Sequence, residues 1–90
     1  MESYKKIDFK KSAKKFLETR SRKEQVLLLS KINKLPNGRH IKKMEGYENR
    51  YRLRVGDYRV LYEISKGTPD TKAKILILVV EIGNRGDVYK

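Results

Sequence analysis

The spacing of apolar side chains changes twice along the chain. A strand is predicted from Tyr4 to Phe9, where Ile7 and Phe9 stand two apart. Ala13, Phe16 and Leu17 then fall at i, i+3 and i+4, one stripe of a helix over Lys10–Thr19, with Lys10, Lys11, Lys14 and Lys15 around it. Ser21-Arg22-Lys23-Glu24 matches the capping box. In it a serine oxygen accepts from a free backbone N–H and the glutamate reaches back to the cap. A second helix is therefore predicted from Arg22 to about Leu35. Leu28, Ile32 and Leu35 form its stripe, Val26 and Leu29 broaden it, and Pro36-Asn37-Gly38 ends it.

From residue 51 the period falls to two. Tyr51–Val55, Tyr58–Ser65 and Lys74–Ile82 read as strands, after a basic, irregular stretch at 38–50 with room for a short edge strand. KILILVVEI, residues 74–82, is apolar on both parities and predicts a central strand covered on both faces. The closing NRGDVYK has room for one more short strand. Two helices first and a mostly antiparallel, twisted sheet afterwards is an α+β arrangement, with the N-terminal strand and helix hairpin packed on the sheet. No repeat or linker interrupts residues 1–90, so one domain is expected.

The segment YRLRVGDYRV, residues 51–60, carries the first chemical signal. Gly56-Asp57 suits a two-residue II′ hairpin turn. That register pairs Val55 with Tyr58, Arg54 with Arg59, Leu53 with Val60 and Arg52 with Leu61. The apolar residues then share one face, and Arg52, Arg54 and Arg59 share the other. Arg50 falls opposite Glu63, which offsets one charge. Like charges directly opposite each other cost roughly 0.2–1 kcal/mol. Phosphate is the natural guest for a group of guanidinium forks. The alternative is a solvated sheet face that is basic only because the chain is.

Composition strengthens the first of these. The 90 residues include 23 Lys and Arg against 11 Asp and Glu, a net charge of +12. Such a balance favours a polyanionic partner: nucleic acid, an anionic surface or an acidic protein. Other classes recede. No apolar run approaches the ~18 residues of a membrane span. MESYKKIDFKK has no apolar core of a signal peptide, and no cysteine marks an oxidising compartment, so a cytoplasmic protein is expected. No Walker or dinucleotide glycine pattern occurs. His40 is the single histidine, which leaves no histidine pair for a ribonuclease of the pancreatic kind and no metal-ligand set; a surface position is expected for it.

YRLRVGDYRVLYEI, followed after a loop by ILVVEIGNRGDVYK, resembles the RelE branch of the RelE/ParE toxin superfamily, with R-x-G-D-Y-R and I-G-x-R-x-D-V-Y as the telling pieces. The resemblance covers nearly the whole chain. It implies the toxin of a type II toxin–antitoxin pair, with a RelE-like fold. Its expected activity is metal-independent, cofactor-free cleavage of messenger RNA in the ribosomal A site, by attack of the 2′-hydroxyl on the neighbouring phosphate. An acidic, RelB-like antitoxin is the implied partner beside the ribosome and its messenger.

By motif position the family's active residues fall on Arg52, Arg54, Arg59, Arg85 and Tyr89. Arg59 and Arg85 would stabilise the pentavalent phosphate, and Tyr89 would stack on a base or place a proton. Lys42 and Lys43 would reach the messenger backbone, and Lys14 and Lys15 ribosomal RNA. Arg-x-Arg stands where some members carry lysines, and Asn84 where many carry histidine. Arginine stays protonated and makes a poor base, so Glu63 and Glu81 are the carboxylate candidates. The same fold also serves ParE-like poisons of DNA gyrase, the main rival activity, and an RNA-binding protein without catalysis is a third.

Overall fold

The computed structural model describes residues 3–84. Its elements are β1 (Ser3–Phe9), α1 (Lys11–Glu18), α2 (Arg22–Ile32), β2 (Ile41–Lys43), β3 (Arg50–Val55), β4 (Tyr58–Lys66) and β5 (Ala73–Asn84). Among the described residues the strands form one five-stranded sheet in the order β1-β5-β4-β3-β2. β1 runs parallel to β5, and every other pairing is antiparallel. A parallel neighbour needs a crossover, and the α1–α2 hairpin with the following strands supplies it.

The helices begin and end as local chemistry dictates. The capping box forms: Ser21 Oγ accepts from the Glu24 backbone N–H, and the Glu24 carboxylate accepts from the Ser21 N–H. α2 stops at Ile32 rather than near Leu35, and turns carry the chain on to Pro36. Leu35 is nonetheless fully buried, so it serves the core from outside the helix. The Lys5 ammonium donates to the backbone carbonyls of Asn33 and Leu35. A cation there answers the partial negative charge at the end of α2 and ties β1 to it.

One hydrophobic core holds the two layers together. Ala13 and Leu17 of α1, Leu28 and Ile32 of α2, and Leu35 meet Leu53, Val55, Val60, Tyr62, Ile77, Val79 and Ile82 of the sheet. All of those sheet residues lie on one face, as the strand registers show. Tyr62 is buried and stacks on Tyr51 at 5.6 Å. Burial pushes its phenol up to about 12, with Tyr51 adding a smaller push. Val26, expected to widen the apolar stripe of α2, is instead 60% exposed. Leu28 and Leu29 take the inward directions and leave Val26 and Leu27 facing out.

β5 is central, as its composition predicts, but the helices cover only one of its faces. Ile75, Ile77 and Val79 point to the core, while Leu76 and Leu78 lie on the other side, half-buried. A bulge intervenes: Leu61 pairs with Glu81 and Tyr62 with Val79, so Val80 is the extra residue. Val79 and Ile82, three apart, can therefore both reach the core. The short edge strand expected between 38 and 50 is β2, three residues long.

Candidate nucleic-acid interface

The β3–β4 hairpin has the register that residues 51–60 predict. Arg50 pairs with Glu63, Arg52 with Leu61, Leu53 with Val60, Arg54 with Arg59 and Val55 with Tyr58. Of the two turn residues only Gly56 has a positive φ, +57°, the signature of the II′ turn. Arg52, Arg54 and Arg59 thus share the face turned away from the helices. Lys42 joins them, because β2 pairs it directly with Arg52. Four cations span three adjacent strands on two neighbouring rungs.

These cations differ in setting. Arg54 is exposed, Arg52 is half-buried and Arg59 is only 6% exposed. Arg59 donates through one terminal nitrogen to the Tyr58 carbonyl at 3.3 Å. A guanidinium held this way has lost rotamer freedom before any ligand arrives, the condition for electrostatic preorganisation. Tyr58 itself donates to the Glu24 carboxylate. That bond, followed by those from Ser21, lowers the Glu24 carboxyl from its ordinary value; the same bond, followed by burial, raises the Tyr58 phenol. The start of β4, where Arg59 sits, is thereby tied to the first turn of α2. Phe16 meets the Tyr58 ring edge-on at 5.9 Å.

Arg50 is used differently. Its Nε and Nη2 both donate to Glu63 Oε2, at 3.1 and 2.7 Å, and its guanidinium lies 4.5 Å from the centre of the Tyr47 ring. Glu63 is thus engaged in an ion pair. Glu81 is exposed and stands on the arginine face, across Leu61 from Arg52. Of the two carboxylates, Glu81 is the more exposed.

The remaining sequence candidates separate. Lys43 is exposed but pairs with Tyr51 and so has the opposite parity to Lys42. Lys14 and Lys15 are exposed on α1, which packs on the core face, so the sheet stands between them and the arginines. Arg85 and Tyr89 lie outside the described residues. His40 is exposed, with φ +63°. Among the described residues no group of His, Cys, Asp and Glu side chains could hold a metal ion, and no helix is long and apolar enough to cross a membrane.

One feature escaped the sequence. A cleft of about 580 Å³ opens at the edge of β3, between it, the loop at 38–40 and the outer side of α2. It depends on where β2 ends, and no local pattern marks that point.

A family model for the ParE toxin of the parDE type II toxin–antitoxin system matches residues 7–89. The chain belongs to this family. The ParE-family chain is also similar in fold to solved RelE toxins. In the archaeal RelE–RelB complex of Pyrococcus horikoshii OT3 the match has a TM-score of 0.69 at 24% identity, covering 94% of this chain and 99% of that one. For the RelB–RelE complex of Methanococcus jannaschii the TM-score is 0.59 at 27% identity, over 91% and 94% of the two chains. For the intact E. coli RelBE complex it is 0.61 at 20% identity, over 87% and 93%. No curated protein matches the chain in sequence. The expected place in the RelE/ParE superfamily and the α+β fold are both borne out.

Proposed function

We propose that this ParE-family toxin acts as a RelE-like endoribonuclease on messenger RNA in the ribosomal A site, and that an acidic, RelB-like antitoxin neutralises it. The observation that carries the proposal is the pairing of Arg54 with Arg59, flanked by Arg52 and Lys42, on the sheet face the helices leave open. Folding gains nothing from like charges set opposite each other; a phosphodiester seated among them removes the conflict.

The chemistry follows from the residue types. The RNA supplies its own nucleophile, a 2′-hydroxyl, which attacks the adjacent phosphorus while the 5′-oxygen of the next nucleotide leaves and takes a proton from water. The products are a 2′,3′-cyclic phosphate and a 5′-hydroxyl end. Negative charge grows on the non-bridging oxygens, and the fixed guanidinium of Arg59 opposes it. Arg52 and Arg54 hold the flanking phosphates as bidentate donors, and Lys42 extends the track along the backbone. Glu81 is the accessible carboxylate for the 2′-hydroxyl proton. Arg85 and Tyr89 complete the set by sequence position, as a second cation and a stacking ring.

Induced expression tests the proposal. Loss of protein synthesis, with messenger cuts confined to translated codons and ending in cyclic phosphate, is the expected result. The rival reading is the ParE-like one that the sequence resemblance also implies, poisoning of DNA gyrase, and the matching family is that of the ParE toxin. Linearised DNA and an SOS response with intact messenger would establish that activity and reject cleavage.

A further inference from the structure

The cleft at the edge of β3 lies beside the arginine face but is built differently. β2 pairs with β3 only as far as Leu53, and one more bond, from the Arg54 N–H to the His40 carbonyl, extends the ladder. Past that point the edge of β3 opens into the cleft. Leu53 and Val55 line its sheet side, and Leu27 lines the α2 side while remaining 43% exposed. Lys31 and Lys34 follow Leu27 at i+4 and i+7, and with Arg54 they give the cleft a basic rim. No acidic residue lines it.

We infer that this cleft receives a leucine-bearing, acidic segment of the antitoxin, an inference that rests on the toxin reading above. Charge complementarity selects the partner's sign: the lining is basic and apolar, with no carboxylate of its own. The apolar component selects protein over RNA. Single-stranded RNA is held by aromatic platforms as well as by cations, and apart from the His40 imidazole no ring lines the cleft. An exposed leucine over a valine- and leucine-lined edge fits aliphatic side chains, and the lysines fit glutamates flanking them.

Arg54 gives the seat a consequence. It lines the cleft and also belongs to the arginine pair on the open face. A carboxylate that engages Arg54 from the cleft withdraws it from the messenger. Neutralisation then needs no protein mass over the arginine face.

The test measures affinity for the purified acidic protein encoded beside the toxin gene. The variants are Leu27→Glu, Lys31→Glu with Lys34→Glu, and, as a charge-matched control at the far end of the sheet, Lys66→Glu with Lys74→Glu. Both cleft variants should lose roughly tenfold or more in affinity, while the control stays near wild type and all melt cooperatively. Messenger cleavage by Leu27→Ala without antitoxin should be unchanged, since Leu27 is not on the arginine face and alanine brings no carboxylate to Arg54. Unchanged affinity in both cleft variants, or equal losses in the control, would overturn the cleft as the seat. Loss of binding to a short single-stranded RNA in Leu27→Glu, with antitoxin binding intact, would reassign it to nucleic acid. Absence of wild-type binding to the antitoxin would reject the partner itself, whereas messenger cleavage would still stand or fall alone.

Discussion

Two rungs of the same hairpin, on the same face, treat an arginine in opposite ways. At one, Arg50 faces Glu63, donates two hydrogen bonds to it and lies against the Tyr47 ring. At the other, four residues along β3, Arg54 faces Arg59. The fold can evidently neutralise an arginine on this surface, since it does so at Arg50. Setting two arginines opposite each other at the second rung is a property of that place, not of a basic chain in general. The first rung pairs opposite charges within the sheet; the second sets like charges opposite each other, where the proposed function seats a phosphodiester.

That contrast can be broken by experiment. The largest effect is expected for Arg59→Gln. Messenger cleavage should fall by about a hundredfold or more, the scale set by removing one preorganised donor, while the variant still unfolds cooperatively. A marked loss of stability with cleavage retained would make Arg59 a structural residue. Arg54→Glu comes next. It should convert the second rung into a copy of the first, raising stability by ~0.2–1 kcal/mol while cleavage drops steeply. If urea unfolding shows no gain, the two arginines do not oppose each other in solution.

Glu63→Ala should do the reverse to the first rung. Stability should fall by about 1–2 kcal/mol, because Arg50 is left half-buried and unanswered, with little change in cleavage. Loss of cleavage on a par with Arg59→Gln would promote Glu63 to the chemistry and dissolve the contrast.

The smallest effect concerns Tyr62, on the buried side of the same hairpin. Its phenol is raised from 10.0 to about 12 by burial. Between those values the unfolded chain has released the proton and the folded chain keeps it, so stability falls as pH rises through this window. The contribution is complete below pH 10. Tyr62→Phe should flatten the alkaline loss, as urea midpoints on either side of pH 10 would reveal. An unchanged slope would place the phenol in contact with water.

The hairpin was legible in the sequence because two independent constraints coincide there. Gly56-Asp57 sets the turn, and strict alternation allows only one register that keeps Leu53, Val55, Val60 and Tyr62 together. The capping box was legible because its contacts span three residues. Burial of individual arginines was not. Alternation assigns Arg54 and Arg59 to one face, but it cannot say that one is exposed and the other covered, since that depends on neighbours far along the chain. The outward turn of Val26 and the bulge at Val80 were not legible, for related reasons. At Val26, an apolar run with no gaps leaves the inward direction to tertiary packing. At Val80, a bulge breaks the period of two within a segment where every residue is apolar. The cleft is the extreme case, made by the place where a three-residue strand stops.

The bulge at Val80 acts as a phase setter for everything after it. Pairing Val80 into the ladder as an ordinary strand residue would turn the end of β5 inside out, sending Ile82 to water and Glu81 beneath the helices. Deleting Val80 should therefore leave Glu81 opposite Leu61 and Ile82 opposite Val60, in a ladder made regular by the loss.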